Sequence, residues 1–123
     1  MLFLLLLACV GNPVITTSTT GCTNYDFDDP KPSAIESSVK GGVADVYRSY
    51  VERENLDDAF EPEIVTEGGV IEVFEAWTAG SDGNASCLEP HITIEDFGAP
   101  IEVRWYTPDD QNVPLDTVTV SPG

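Results

Sequence analysis

The sequence predicts an all-β chain, a small antiparallel β-sandwich of about six strands in three sequential hairpins. Three observations predict it. A pattern repeats: Gly41-Gly42-Val43-Ala44-Asp45-Val46-Tyr47 is matched 27 residues on by Gly68-Gly69-Val70-Ile71-Glu72-Val73-Phe74. Each copy continues to a second aromatic (Tyr50, Trp77) and closes on a large apolar residue (Phe60, Leu88) followed by Glu-Pro-x-Ile. A degenerate third copy opens at Gly98 and runs through Ile101-Glu102-Val103-Arg104-Trp105. Apolar and polar residues also alternate, which is the period of a half-buried strand. Leu88, Pro90, Ile92 and Ile94 take one side, and Glu89, His91, Thr93 and Glu95 the other. Finally, residues 70–78 are rich in β-branched and aromatic side chains, which fit a pleated surface.

From the N-terminus, residues 2–7 are Leu and Phe only. So short an apolar run cannot cross about 30 Å of hydrocarbon as a helix. Leu6-Leu7-Ala8-Cys9 resembles the lipobox of bacterial lipoprotein signal peptides. That resemblance implies removal of residues 1–8, acylation of Cys9, and a lipid-anchored place in the bacterial cell envelope. No Lys or Arg precedes the run, which departs from the pattern. The alternative is an ordinary signal peptide cleaved near Gly11 or Gly21. The Thr/Ser tract from Asn12 to Gly21 is uncharged and reads as a flexible tether. Asn24 to Pro32 is acidic and broken by prolines, so it reads as loop. Residues 9–32 are thus lipidated cysteine, tether and acidic loop, and residues 33–123 are the sandwich.

Three cysteines leave an odd thiol to explain in an exported protein. With Cys9 acylated, Cys22 and Cys87 remain to pair in an oxidising compartment.

Ser33-Ala34-Ile35-Glu36 is a capping-box pattern and predicts a short helix ending near Lys40, where Gly41 stops it. Val43 to Leu56 fits helical spacing, but its repeat counterpart reads as strand, so both copies are assigned as strands. Neither alternates cleanly: Arg48 and Glu75 interrupt one face, Asp45 and Glu72 the other, which suggests a bulge. Phe60, Pro62 and Ile64 begin a partner strand. Pro62 and Pro90 lack an N–H and are expected at strand starts or edges. Ile101, Val103 and Trp105 alternate with Glu102, Arg104 and Tyr106, and Leu115 to Val120 is the last strand. Ile101-Glu-Val-Arg-Trp-Tyr with its acidic turn resembles a central strand of immunoglobulin-like domains. The Cys-to-Trp-to-Cys order of antibody domains is absent.

The charge is lopsided, with 22 Asp and Glu against 5 Lys and Arg, a net charge of −17, none of it before Asp26. Such a surface repels phosphate backbones, which excludes nucleic acid as a partner. A high-salt habitat, divalent cations or solubility alone would each account for it. Asp26, Asp28 and Asp29, and Asp109 and Asp110, cluster hard oxygens of the type Ca²⁺ prefers, without an EF-hand pattern. His91, the one histidine, falls on the outward face and reads as a surface residue. No nucleophile elbow, phosphate loop or His-Glu-x-x-His motif is present, so no enzyme activity or cofactor is expected. Asn84-Ala85-Ser86 matches a glycosylation sequon, which a bacterial source makes accidental. The expected role is binding, adhesion or structure at the envelope toward a protein or glycan partner. A Ca²⁺-dependent module is the first alternative and a hydrolytic enzyme the second.

Overall fold

The computed structural model describes residues 13–122, so residues 1–8 and Cys9 lie outside it. Eleven strands occur among the described residues: β1 (Val14–Gly21), β2 (Ile35–Lys40), β3 (Val43–Arg48), β4 (Val51–Arg53), β5 (Ala59–Phe60), β6 (Glu63–Glu67), β7 (Val70–Phe74), β8 (Trp77–Thr78), β9 (Ser86–Glu95), β10 (Ile101–Tyr106) and β11 (Asp116–Val120). One sheet has the order β1-β9-β3-β2, with β4 pairing β9 beyond the end of β3. The other has the order β11-β10-β7-β6, and β5 and β8 form a small ribbon.

The two sheets pack face to face as a small β-sandwich. Ala44, Val46, Ile92 and Ile94 of the first sheet meet Ile71, Val73, Val103 and Trp105 of the second, all essentially without solvent exposure. Burying each of the Ile side chains stabilises the fold by about 1.5–3 kcal/mol. Every ladder is antiparallel except β7–β10, which is parallel.

The glycine pairs of the repeat are turns. Gly41 and Gly42 have φ of 60° and 77°, and Gly68 and Gly69 have φ of 57° and 80°. Positive φ at both central residues matches the twist of a two-residue hairpin, and glycine reaches it without a Cβ clash. Each pair therefore closes a hairpin onto the strand before it, β2–β3 and β6–β7. This corrects two expectations. Residues 35–40 are strand, not helix, because the turn pairs them residue by residue with β3. The hairpin partners also differ from those expected, since only β10–β11 pairs as the sequence suggested.

The Thr/Ser tract is also corrected. Residues 14–21 are not a tether: they form β1, paired along their whole length with β9. Ile15 packs against the core, and hydroxyl and β-branched side chains suit a strand as well as a linker. The sandwich accordingly begins at Val14 and not at Ser33.

The expected bulge lies between β3 and β4. The β3–β9 ladder ends at Tyr47 opposite His91, and the β4–β9 ladder starts at Val51 opposite Leu88. Three residues thus oppose two, Glu89 and Pro90, and Tyr50 takes a φ of 53°. Pro90 explains the gap: it sits inside a central strand, not at a start or edge, and has no N–H to donate there. Ser33 closes the bulge, its hydroxyl donating to the carbonyls of Ser49 (2.5 Å) and Tyr50 (3.1 Å).

Candidate functional site

The outer face of the first sheet carries a constellation of hydrogen-bonded polar side chains. Strand alternation sends Asp45 and Tyr47 of β3, His91 of β9 and Thr20 of β1 to this side. His91 Nδ1 lies 2.9 Å from Asp45 Oδ1, and its Nε2 lies 2.8 Å from Thr20 Oγ1. The imidazole is stacked on Tyr47, its cross-strand neighbour, with centroids 4.6 Å apart. Carboxylate, imidazole and hydroxyl thus stand in line across three strands. Burial, helped by Glu89, Glu36 and Asp45, pushes the Tyr47 phenol above its ordinary pKa. In a nucleophilic enzyme this order lets the imidazole take a hydroxyl proton while the carboxylate holds its tautomer. Here the line lies on a sheet face, and the hollows beside the Gly68-Gly69 turn are lined by other residues.

β1 borders that face and is one of the two edge strands of its sheet. The Cys22 N–H donates to the Cys87 carbonyl at 3.1 Å, which sets the phase of the ladder. Antiparallel pairs alternate between bonded and non-bonded. Thr20, Ser18 and Thr16 are therefore the bonded residues, and Ile15, Thr17, Thr19 and Gly21 turn their backbone N–H and C=O outward. Pro90, opposite Thr19, falls on a non-bonded position of this ladder, as its missing N–H requires. Residues 16–21 are all exposed.

The disulfide joins Cys22 and Cys87, with Cα atoms 5.4 Å apart, and fastens the end of β1 to β9. Near the start of β1, Pro13 borders a mostly apolar hollow of about 600 Å³ formed with the Gly68-Gly69 turn and the Phe97–Pro100 loop.

A buried polar centre links the sheets. Glu75 accepts from Arg48 Nη1 at 2.9 Å, from Trp77 Nε1 at 2.9 Å and from Trp105 Nε1 at 2.9 Å. Both tryptophans of the chain thus point their N–H at one carboxylate. Nearby, Asp58 is buried and accepts from Arg53 Nε at 2.8 Å, Asn55 Nδ2 at 3.1 Å and the Gly80 N–H at 2.7 Å. Arg53 also lies over the Trp77 ring at 4.7 Å. The Gly80 amide, with Asn55 and Arg53, holds the Asp58 carboxyl below its usual range, and the Ser81 and Asp82 amides do the same for Asp57.

Of the aspartates considered for calcium, Asp26 and Asp110 serve their own turns. Asp26 Oδ1 accepts the Asp28 N–H at 2.9 Å, and Asp110 Oδ1 accepts the N–H groups of Asn112 (2.9 Å) and Val113 (3.1 Å). Among the described residues, no three or more His, Cys, Asp or Glu side chains are grouped to hold a metal ion. Tyr25 donates to Glu52, which pushes its phenol up to about 12, and stacks on Tyr50.

Sequence reasoning placed His91 outward but missed Asp45 and Thr20 as its partners, and missed Glu75 as a shared acceptor. The repeat held a signal for both, since Asp45, Arg48 and Glu75 are the charges that break its alternation. Thr20 had none, because its tract looked like a linker. No protein-family model matches the chain, and no curated protein or solved structure matches it significantly.

Proposed function

We propose that the chain is a bacterial cell-envelope lipoprotein whose small acidic sandwich serves binding, adhesion or structure, held by lipid on Cys9. The observation that carries this is the Cys22–Cys87 bond. It suits an oxidising compartment and uses two of three cysteines, so Cys9, at the end of Leu6-Leu7-Ala8, is the one left for acylation. A further consequence concerns distance. Since β1 begins at Val14, only residues 10–13 separate it from Cys9, a reach of roughly 17 Å at full extension. The sandwich would therefore sit close to the bilayer, with the Pro13 end toward it. Intact mass of the membrane-extracted protein tests the reading. The expected product starts at Cys9, carries acyl chains and contains one disulfide. A soluble product cleaved at Gly11 or Gly21, with the membrane fraction empty, would refute it.

Hydrolysis has one observation in its favour, the line Asp45–His91–Thr20. A fluorophosphonate probe decides it. Labelling of Thr20 that disappears in His91→Ala would establish an activated hydroxyl, and unlabelled protein would remove the reading.

A further inference from the structure

The four sheet edges are not alike. β2 carries Glu36 and Lys40, β6 carries Glu63 and Glu67, and β11 begins with Asp116. Charges on an edge strand discourage pairing with another chain. β1 has none: Val-Ile-Thr-Thr-Ser-Thr-Thr-Gly is eight residues long, lacks proline, and has high strand propensity. Its outward backbone groups, at Ile15, Thr17, Thr19 and Gly21, are set at the spacing of one more antiparallel ladder. The disulfide holds one end of this edge in place, and the Thr20–His91 bond holds its face.

We propose that β1 receives an extended segment of a partner protein whose outward side chains are basic. This rests on reading the sandwich as a binding module. The backbone supplies affinity by strand addition, and the side-chain rows supply selectivity. The outer row beside β1 is acidic: Glu89 and Glu95 stand opposite Thr20 and Val14, and Asp45 and Glu36 follow on β3 and β2, against a single lysine, Lys40. Thr16, Ser18 and Thr20 are short. A Lys or Arg on the added strand, about 4.8 Å farther out, can therefore lay its stem over them and bring its charge to Glu89 and Glu95. A second copy of this chain is the poorer occupant. It would bring another net charge of −17 alongside the first, with no basic row to answer the acidic one.

The test uses the full chain in nanodiscs of neutral lipid, so that retention in the disc reports the anchor separately from binding at the edge. Four synthetic eight-residue peptides are titrated: one alternating lysine with valine or threonine, one with glutamate in place of lysine, and two forms of the lysine peptide N-methylated at alternate amides, one in each phase. The lysine peptide is expected to bind at least tenfold more tightly than the glutamate peptide at 0.15 M salt. Methylation in the phase that faces β1 should abolish binding, and methylation in the other phase should spare it. Thr17→Pro removes an outward N–H that the β1–β9 ladder does not use, and should abolish binding while Thr17→Ala retains it. Equal binding of both charges, indifference to methylation, no binding of any peptide, or dimerisation through β1 would each overturn the proposal. If the chain stays in the disc through those outcomes, the anchor stands and only the edge assignment falls.

Discussion

Arg48 and Glu75 stand 27 residues apart, at equivalent positions of the two repeat copies, and form an ion pair at 2.9 Å between the two halves of the sandwich. The repeat therefore does more than duplicate strands. It brings matched positions, carrying opposite charges, face to face in the interior. The same phase sets Tyr47 against His91 and Phe74 against Tyr106, each pair stacked at 4.6 Å.

Removing Arg48 leaves Glu75 charged and buried, and removing Glu75 leaves the half-buried Arg48 without its partner. Glu75→Ala should therefore cost about 3–5 kcal/mol, and Arg48→Ala a comparable amount. Replacing both with apolar residues of similar volume, Arg48→Met with Glu75→Leu, should cost less than the sum, although the two indole N–H groups lose their acceptor. Urea unfolding of the parent and the three variants gives the comparison. A Glu75→Ala variant within 1 kcal/mol of the parent would contradict a buried shared acceptor.

Cutting the disulfide should be felt first in β1. The bond closes a loop of sequence separation 65, for which the chain-entropy model gives about 4 kcal/mol. In Cys22→Ser the ladder amides of Thr16, Ser18 and Thr20 should exchange faster than those of β3 and β10, because β1 is an edge with one core residue, Ile15. Hydrogen exchange by mass spectrometry resolves the two sets. Uniform loss of protection across all strands would mean that β1 is not a separable element.

Acid should loosen the loop pair at residues 55–58 and 80–84. The Asp57 and Asp58 carboxyls have lowered folded pKa values, chiefly through backbone N–H donors. Their contribution is complete above the unfolded value of about 3.9 and is lost as pH falls through the lower folded value. Amide exchange at Gly80 and Ser81 should thus rise below pH 4 before the core opens, and Asp58→Asn should reduce this pH dependence. Gly80→Ala tests the same contact sterically, since a Cβ there would come within 1.9 Å of Asp57 Oδ1.

Calcium and magnesium should raise the melting temperature equally at matched ionic strength. Asp26 and Asp110 cap their own turns, and screening of a net charge of −17 acts without a specific site. A larger shift with Ca²⁺, saturating at millimolar concentration, would mark a binding site.

The sequence by itself determined the all-β class, the inward rows of β9 and β10 and the strand identity of residues 43–48, and it pointed to an irregularity in the repeat strands and to Cys22 and Cys87 as a pair once Cys9 is set aside. These follow from local facts: a period of two, β-branched content, the repeat and thiol parity. Only the tertiary structure decided which strands are neighbours. Residues 35–40 look helical in isolation, and become a strand because the Gly41-Gly42 turn lays them against β3. Residues 14–21 look like a linker because they have almost no apolar side chains, and become a strand because β9 offers them a full ladder of backbone partners. Backbone hydrogen bonding carries no side-chain signature, so an edge strand of threonines is not visible in composition. For the same reason the Asp45–His91–Thr20 line, drawn from three strands far apart in the chain, exists only once the ladder has set their register.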